Sequence, residues 1–402
     1  MARRLRVGIL YGGRSGEHEI SLRSAINVIR ALHPSRYEIV PIAITKRGRW
    51  YTGPRAIEVL DRAQRRLVPI PVHGDEVSIL PEPTRHGLVR LGRASRTERL
   101  DVIFPVLHGS YGEDGAIQGL LELAGLPYVG AGVLGSAAGM DKDAMKRLLR
   151  EAGIPVVPFV TFRGAAATDA VTVADRLAEA GIGYPCFVKP ANLGSSVGIS
   201  KVAGAAALPA ALRTASRYDT KVLIEKGVVG REFEIAVIGD PESGPDDVRV
   251  SVPGEVIPGR EFYDYVDKYV GTGSRTIVPA HLPAAGQQEM AALAKRTFDV
   301  LECRGLARVD FFLQASDQKL FVNEINTIPG TTPISLFPQM WKASGVPFAD
   351  VVDRLIALAL EHHRRRTKLE TSFSPTRHES PRRRAPRAAA PRREHAARSA
   401  RR

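Results

Sequence analysis

The chain has 402 residues, long for a single core, and its 44% hydrophobic content is ordinary for a protein folded in water. Its formal charge of +14 suggests nucleic-acid binding until it is located: Arg364–Arg402 holds 14 Lys/Arg against 3 acidic residues, a net of +11 that leaves +3 for everything before it. No apolar run reaches membrane-spanning length, the run in MARRLRVGILYGG is too short for a signal peptide, and Cys186 and Cys303 are too few for a disulfide framework, so a cytoplasmic protein is expected.

Residues 6–10 read as a short apolar strand running into YGGRSGEHEISLRSAINVIRAL, a glycine turn and then an amphipathic helix with Ile20, Ala25, Val28 and Ile29 on its apolar side. Strand, glycine turn and helix open a doubly wound α/β domain, with Glu17 and His18 at the helix entrance where a ligand approaches the strand ends. GGRSG is not the GxGxxG fingerprint, which makes a dinucleotide reading weak. Residues 37–44 resemble the next strand, whereas 48–97, rich in Arg and Pro, read as irregular. The apolar stretch 100–107 predicts a buried strand ending in HGSYGEDGAIQGLLELAG, where glycines, Glu113 and Asp114 crowd a strand's carboxyl end before a helix. His108, taken alone, is a satisfied turn histidine.

Residues 127–139 are small and glycine-rich and suit a hinge. Asp141 then caps the helix DKDAMKRLLREAG, closed by Gly153 and Pro155; Lys142, in its first turn, has no acidic partner at helical spacing. In YPCFVKPANLGSSVGISKV an apolar strand ends in Lys189, a Gly-Ser-Ser loop follows, and a second strand closes a hairpin. Backbone N–H groups and the Ser195 and Ser196 hydroxyls of such a loop can cradle phosphate oxygens while a lysine neutralises their charge. A flexible hairpin turn is the plainer alternative, and the loop is no Walker motif. Residues 221–226 form a strand ending in Glu225 and Lys226, and GREFEIAVIGD opens another with Glu232 and Glu234 on one face, where carboxylates can bind ribose or amine groups of a nucleotide. The aromatic and charged stretch PGREFYDYVDKYVGTGS has the composition of a movable lid. A helix from 284 to 303 leads into residues 305–336, and a capping helix follows at 348–362.

Residues 305–336 carry the densest chemistry. Leu306, Arg308, Asp310 and Phe312 alternate on one face of a strand, with Ala307, Val309, Phe311 and Leu313 on the other. A second strand puts Leu320, Val322, Glu324 and Asn326 on one face, and pairing Leu313 with Lys319 across the QASDQ loop brings Arg308 opposite Glu324. Asp310, Glu324 and Asn326 then form an oxygen set suited to Mg²⁺; a salt-bridged sheet face is the alternative. The following IPGTTPISL is a Pro-Gly turn whose N–H groups can meet an oxyanion, with the Ser335 hydroxyl beyond it.

Six blocks in order, GGRSGEHEISL, HGSYGEDGAIQGLLELAGLPYVG, KPANLGSSVGISKV, EFYDYVDKY, ARVDFFL and NEINTIPGTTPISLFP, resemble the D-alanine–D-alanine ligases of the ATP-grasp superfamily. The resemblance covers residues 6 to about 363. It implies an α/β fold with α+β elements: an N-terminal doubly wound α/β substrate domain at 1–130, a central ATP-grasp domain at 131–225 and a C-terminal ATP-grasp domain with the metal site at 226–363, ATP being gripped between the last two. It implies that ATP phosphorylates one D-alanine and that the amine of a second displaces the phosphate, a step of peptidoglycan precursor synthesis. By the same resemblance Asp310, Glu324 and Asn326 hold two Mg²⁺ or Mn²⁺ ions; Lys142, Lys189 and Ser196 contact phosphates; Glu225, Lys226 and Glu232 belong to the nucleotide site. Arg308 and the Gly330 N–H stabilise the tetrahedral oxyanion. Glu17 orients the first substrate and joins Ser195 and Tyr269 in a latch. His108, Lys268, Ser335 and Leu336 fall at substrate-binding positions.

The resemblance further implies a homodimer, and the lid sequence DKY favours an amine nucleophile over D-lactate. Two positions depart from the usual pattern: Ser110 stands where a proline is common, and Thr331 where a larger apolar residue is usual, which puts the shape of the dipeptide pocket in question. The main enzyme alternative is another ATP-grasp carboxylate–amine ligase with different substrates. The Arg-rich tail, 364–402, lies outside the resemblance; too poor in apolar residues to bury a core, it is expected to be disordered, a solubilising extension or a segment drawn to polyanions or a membrane surface.

Overall fold

The computed structural model describes residues 3–53, 56, 60, 75–91, 97–259 and 274–370. Residues 260–273 of the stretch expected to form the lid, with Lys268 and Tyr269, fall outside these residues, as does all of the tail beyond 370. The chain divides into two units, Met1–His363 and Arg364–Arg402. The three β-sheets among the described residues all belong to the first. In the second, the described residues end the helix Phe348–Arg366 and turn, the Thr367 hydroxyl donating to the Arg364 carbonyl at 3.3 Å.

The first sheet is built from β1 (Leu5–Gly12), β2 (Tyr37–Ile44), β3 (Trp50–Thr52), β4 (Asp75–Ile79), β5 (Gly87–Arg90), β6 (Thr97–Arg99) and β7 (Val102–Val106), in the spatial order β6-β5-β4-β3-β2-β1-β7. The trio β2-β1-β7 is parallel, as a helix-linked α/β arrangement requires. Such strands are covered on both faces, and alternation sorts their side chains: Val7, Ile9 and Tyr11 enter one core cluster and Leu10 another. The stretch 48–97, expected to be irregular, instead supplies β3 to β6, which extend the sheet antiparallel from β2 among its described residues. These strands are three to five residues long and interleaved with polar side chains, so no period-two signal had room to develop.

The second sheet joins β8 (Phe159–Arg163), β9 (Cys186–Pro190), β10 (Ser200–Val202) and β11 (Lys221–Lys226) in the order β10-β9-β11-β8 and is entirely antiparallel. Helices Ala170–Glu179 and Leu208–Ala215 bury Val173, Leu177, Leu208 and Leu212 against it. The third sheet contains β12 (Gly230–Gly239), β13 (Arg249–Val250), β14 (Gly254–Ile257), β15 (Arg275–Ile277), β16 (Gly305–Gln314) and β17 (Leu320–Asn326). Ala307, Val309, Phe311 and Leu313 of β16 pack as expected into a core with the helix Ala284–Val300. The glycine-rich segment read as a hinge contains the helix Val133–Met140; a Cβ at Gly135 would lie 2.8 Å from the Glu302 carbonyl, so small residues here allow close backbone packing. The helix Phe348–Arg366 returns to the first sheet, burying Val351, Val352, Leu355 and Ile356 in the cluster that holds Val7 and Ile9, and the Tyr37 hydroxyl donates to Asp353 at 2.6 Å.

The β16–β17 pairing differs from expectation. Arg308 lies opposite Asn326 and Asp310 opposite Glu324, with a register shift between Asp310 and Phe311. Leu320, Val322 and Ile325 all enter the same core cluster, so the side-chain alternation slips at Asn323. A bulge of this kind puts one extra residue into a strand and reverses which parity faces the core. Leu320 and Val322 therefore do not share a face with Glu324 and Asn326, and the carboxylate is turned out of the core onto the face of Arg308 and Asp310.

Candidate active site

Two cavities meet where these elements converge. The first, about 590 Å³, is lined by Glu17, His108, Arg308, Asn326, Gly330, Ser335 and Leu336, among others. The second, about 450 Å³, is lined by Lys189, Ser196, Glu225, Lys226, Glu232 and Asp310, among others. Lys142, Gly194, Ser195, Glu234 and Glu324 border both. Every residue to which the resemblance gives a site role and that lies within the described stretches borders one cavity or the other; Lys268 and Tyr269 lie outside those stretches.

The glycine turn after β1 places the helix His18–Ala31. Gly12 has φ +92°, and a Cβ there would stand 2.2 Å from the Ile44 carbonyl, so only glycine fits. The Ser21 hydroxyl accepts from the Gly12 N–H at 2.7 Å and donates to the Val106 carbonyl, tying the helix to two strand ends. Glu17, just before that helix, accepts a hydrogen bond from the Ser195 hydroxyl of the β9–β10 loop. Gly109 and Gly194 leave room for this carboxylate: a Cβ on either would lie 2.8 or 3.3 Å from Glu17 Oε2. Ser195 and Ser196 both have positive φ, 52° and 56°, rare for residues with a side chain and concentrated at functional loops.

Behind the second cavity lies a buried ion cluster. Glu225 Oε2 is 2.6 Å from Lys189 Nζ and Oε1 is 2.9 Å from Lys146 Nζ. Burial alone would raise the Glu225 pKa, but the two ammonium groups outweigh it and bring it to about 2. Lys146 had been given no role from sequence, although it stands four residues after Lys142 on the helix Lys142–Glu151, the spacing that stacks side chains on one face. Lys142 itself donates to the Leu193 carbonyl at 2.8 Å and lies 3.3 Å from Glu324 Oε2, an acidic partner supplied by a distant strand.

On β16 the Arg308 guanidinium forks onto Asp310, Nε to Oδ1 at 2.7 Å and Nη2 to Oδ2 at 2.6 Å, and also lies 3.0 Å from Glu234 Oε2. Burial disfavours its charge, but Asp310 and Glu234 hold it firmly protonated. Asp310 and Glu324 are cross-strand neighbours and Asn326 follows two positions on, so hard oxygen donors are grouped on one face. Two carboxylates and an amide oxygen fit Mg²⁺ or Mn²⁺, and a carboxylate offers about four acceptor sites, which makes ion pairing and metal binding compatible on one group.

The far wall of the first cavity is stitched by groups whose sequence signal was weaker. His108 is fully engaged: Nδ1 contacts the Ile328 carbonyl at 2.8 Å and Nε2 the Ser24 hydroxyl at 2.9 Å, and burial lowers its pKa toward the neutral ring. Glu113 accepts from the Gly109 N–H at 2.6 Å and the Ile328 N–H at 3.0 Å. Burial, reinforced by the nearby Glu17 charge, pushes its pKa up to about 8. Glu113 was visible in its motif but carried no assigned role, and Glu234 was read only as a carboxylate suited to nucleotide ribose or amine groups, because nothing local predicts the sequence-distant partners that hold them. Thr331 turns away from the cavity: its N–H and hydroxyl each bond Ser24 at 3.3 Å, and the Asn27 side-chain amide donates to its carbonyl at 2.6 Å. Its neighbours Gly330 and Thr332 line the cavity.

Comparison with known proteins gives a consistent result. The model of the D-ala D-ala ligase N-terminus matches residues 6–131, and that of the D-ala D-ala ligase C-terminus matches residues 148–357. A D-alanine–D-alanine ligase from Solibacter usitatus is 45% identical over 363 residues, covering 90% of this chain and 98% of the relative. A D-alanine–D-alanine ligase A from Bradyrhizobium diazoefficiens is 46% identical, covering 93% and 100%. Among solved structures, the D-alanine-D-alanine ligase from Coxiella burnetii superposes with a TM-score of 0.78 at 38% identity, covering 91% of this chain and 97% of that one. The VanG D-Ala:D-Ser ligase from Enterococcus faecalis gives 0.77 at 34% identity, covering 89% and 100%.

Proposed function

The chain belongs to the D-alanine–D-alanine ligase family and is an enzyme that joins two D-alanines at the expense of ATP for peptidoglycan synthesis; we propose the following division of that work among its residues. The carboxylate of the first D-alanine attacks the γ-phosphorus of ATP, giving D-alanyl phosphate and ADP. The amine of the second then attacks the acyl carbon, and the C–O bond to phosphate breaks. The observation that carries this reading is the shared wall of the two cavities: Lys142, Ser195 and Glu324 border both, so a phosphoryl group held in one can be reached by a carboxylate held in the other.

Lys142, Lys189 and Ser196 bind phosphate oxygens, and Glu225, Lys226 and Glu232 belong to the adenosine side. Glu225 acts there largely by fixing Lys189, which it meets at 2.6 Å. Asp310, Glu324 and Asn326 would hold Mg²⁺ or Mn²⁺, which when bound neutralises the charge that develops on the transferred phosphoryl group. Glu17 orients the ammonium of the first D-alanine, and its bond to Ser195 fastens the phosphate loop over the site. Tyr269 completes that latch, which excludes water from the hydrolysable acyl phosphate. Arg308 and the Gly330 N–H stabilise the tetrahedral oxyanion, a contribution of about 3 to 4 kcal/mol for each such donor. Ser335, Leu336 and Lys268 receive the second D-alanine, and His108 shapes the wall by pinning Ile328 to Ser24.

The proposed domains are 1–130, 131–225 and 226–363, followed by the tail, in a homodimer working in the cytoplasm. No helix among the described residues is long and apolar enough to cross a membrane. The likeness to a D-Ala:D-Ser ligase at a TM-score of 0.77 makes D-serine the alternative second substrate to test. Labelling tests the pathway: D-alanine carrying ¹⁸O in its carboxylate should pass one ¹⁸O to each phosphate released. Unlabelled phosphate would contradict an acyl phosphate route.

A further inference from the structure

Away from both cavities, β12 ends at Gly239 and the chain turns through Asp240 into the short 3-10 turn Pro241–Ser243. Asp240 caps that turn, Oδ1 accepting from the Glu242 N–H at 3.0 Å, and its own N–H donates to Asp247 Oδ2 at 2.9 Å. Asp247 is in turn ion-paired with Arg354 of the helix Phe348–Arg366. From the same helix His362 reaches this spot, with Nδ1 3.7 Å from Asp240 Oδ2 and 3.5 Å from Glu242 Oε2. His362 is only 9% exposed, yet its Nδ1 has no hydrogen-bond partner among the described residues. One ligand atom from each of the three residues lies within 4.8 Å of the others.

We propose that Asp240, Glu242 and His362 form a binding site for a divalent transition-metal ion of the Zn²⁺ type. The spacing is the first argument. Ligand atoms about 2.0 to 2.2 Å from a tetrahedral ion stand roughly 3.4 Å apart, close to the observed nitrogen–oxygen separations. A direct imidazole–carboxylate hydrogen bond would close to about 2.7 to 3.0 Å. Ligand chemistry is the second: an imidazole nitrogen with carboxylates selects Zn²⁺, Co²⁺ or Ni²⁺ over Mg²⁺ and Ca²⁺. Asp240 is already oriented by Asp247 and the turn it caps, the kind of support that fixes a metal ligand. None of the three residues lines either cavity, so the ion is structural and clips the end of β12 to the helix Phe348–Arg366.

The test is calorimetric titration of untagged, chelator-treated full-length protein with Zn²⁺, in excess Mg²⁺ and ADP to fill the catalytic site. Wild-type protein should bind one Zn²⁺ that Glu242→Gln weakens by about tenfold or more and His362→Gln removes. Co²⁺ should give the intense visible bands of a tetrahedral site in wild-type protein and not in His362→Gln. Glu242 is exposed, so its variant decides the matter alone if His362→Gln does not fold. Absence of Zn²⁺ binding in the wild type, or equal binding by wild type and Glu242→Gln, overturns the proposal.

Discussion

Glu113 shows how much of a residue's chemistry comes from partners remote in sequence. Its motif placed it at the carboxyl end of β7, but its environment is set by Gly109, Ile328 and Glu17, the second of them 215 positions away. With a pKa raised from 4.5 to about 8, the folded protein holds a proton that the unfolded chain releases at lower pH. The associated stability is fully present below about pH 4.5 and is lost as pH rises through about 8, by at most about 1.4 kcal/mol per pH unit. Glu113→Gln should therefore flatten the decline of melting temperature between pH 5 and 8, followed by thermal denaturation; parallel profiles for both proteins would remove Glu113 as the source. Asp310, Glu324 and Lys189 were legible because short motifs with a chemical rationale surround them. Lys146 was not, since its four-residue spacing from Lys142 says nothing of its counter-ion Glu225, which lies on a different element.

At the scale of elements, the hairpin of β16 and β17 was legible as a hairpin but not in its register. Counting alternate residues across the loop paired Leu313 with Lys319 and Arg308 with Glu324; the structure pairs Arg308 with Asn326, one position of the shift arising because Leu313 pairs with Leu320 and the other because β17 carries one extra residue near Asn323. A bulge costs nothing in the hydrophobic pattern of either flanking half, so only three-dimensional pairing reveals it. Its consequence is large, since it turns Glu324 away from the core that holds Val322 and Ile325. Deleting Asn323 leaves plain alternation, with Val322 and Ile325 still inward and Glu324 still outward, so that variant should stay folded; deleting Phe321, which makes Leu320 and Val322 adjacent and so throws them onto opposite faces, should lower stability by several kcal/mol, as thermal denaturation would show. Equal melting temperatures for the two deletions would contradict the role given to the bulge. The short edge strands β3 to β6 were missed for a related reason: pairing with β2 organises segments too brief to declare themselves.

Across the whole molecule, the three sheets supply different parts of one site. The first brings Glu17, His108 and Glu113, the second Lys189 and the Ser195 loop, the third Arg308, Asp310, Glu324 and Asn326. Fold class and most of these residues were readable because strand ends, glycine turns and charged motifs recur together in chain order. What joins them was not readable, as with Thr331, whose departure from the usual apolar residue serves contacts to Ser24 on the helix His18–Ala31 instead of the cavity wall. The account stands on D-alanine as both substrates and on a carboxylate cluster centred on Glu324. Phosphate release from ATP, measured with D-alanine, L-alanine, D-serine or D-lactate, tests it most directly. D-alanine should stimulate release and yield the dipeptide in wild-type protein but not in folded Glu324→Ala, and release with D-alanine no greater than with buffer would contradict the account.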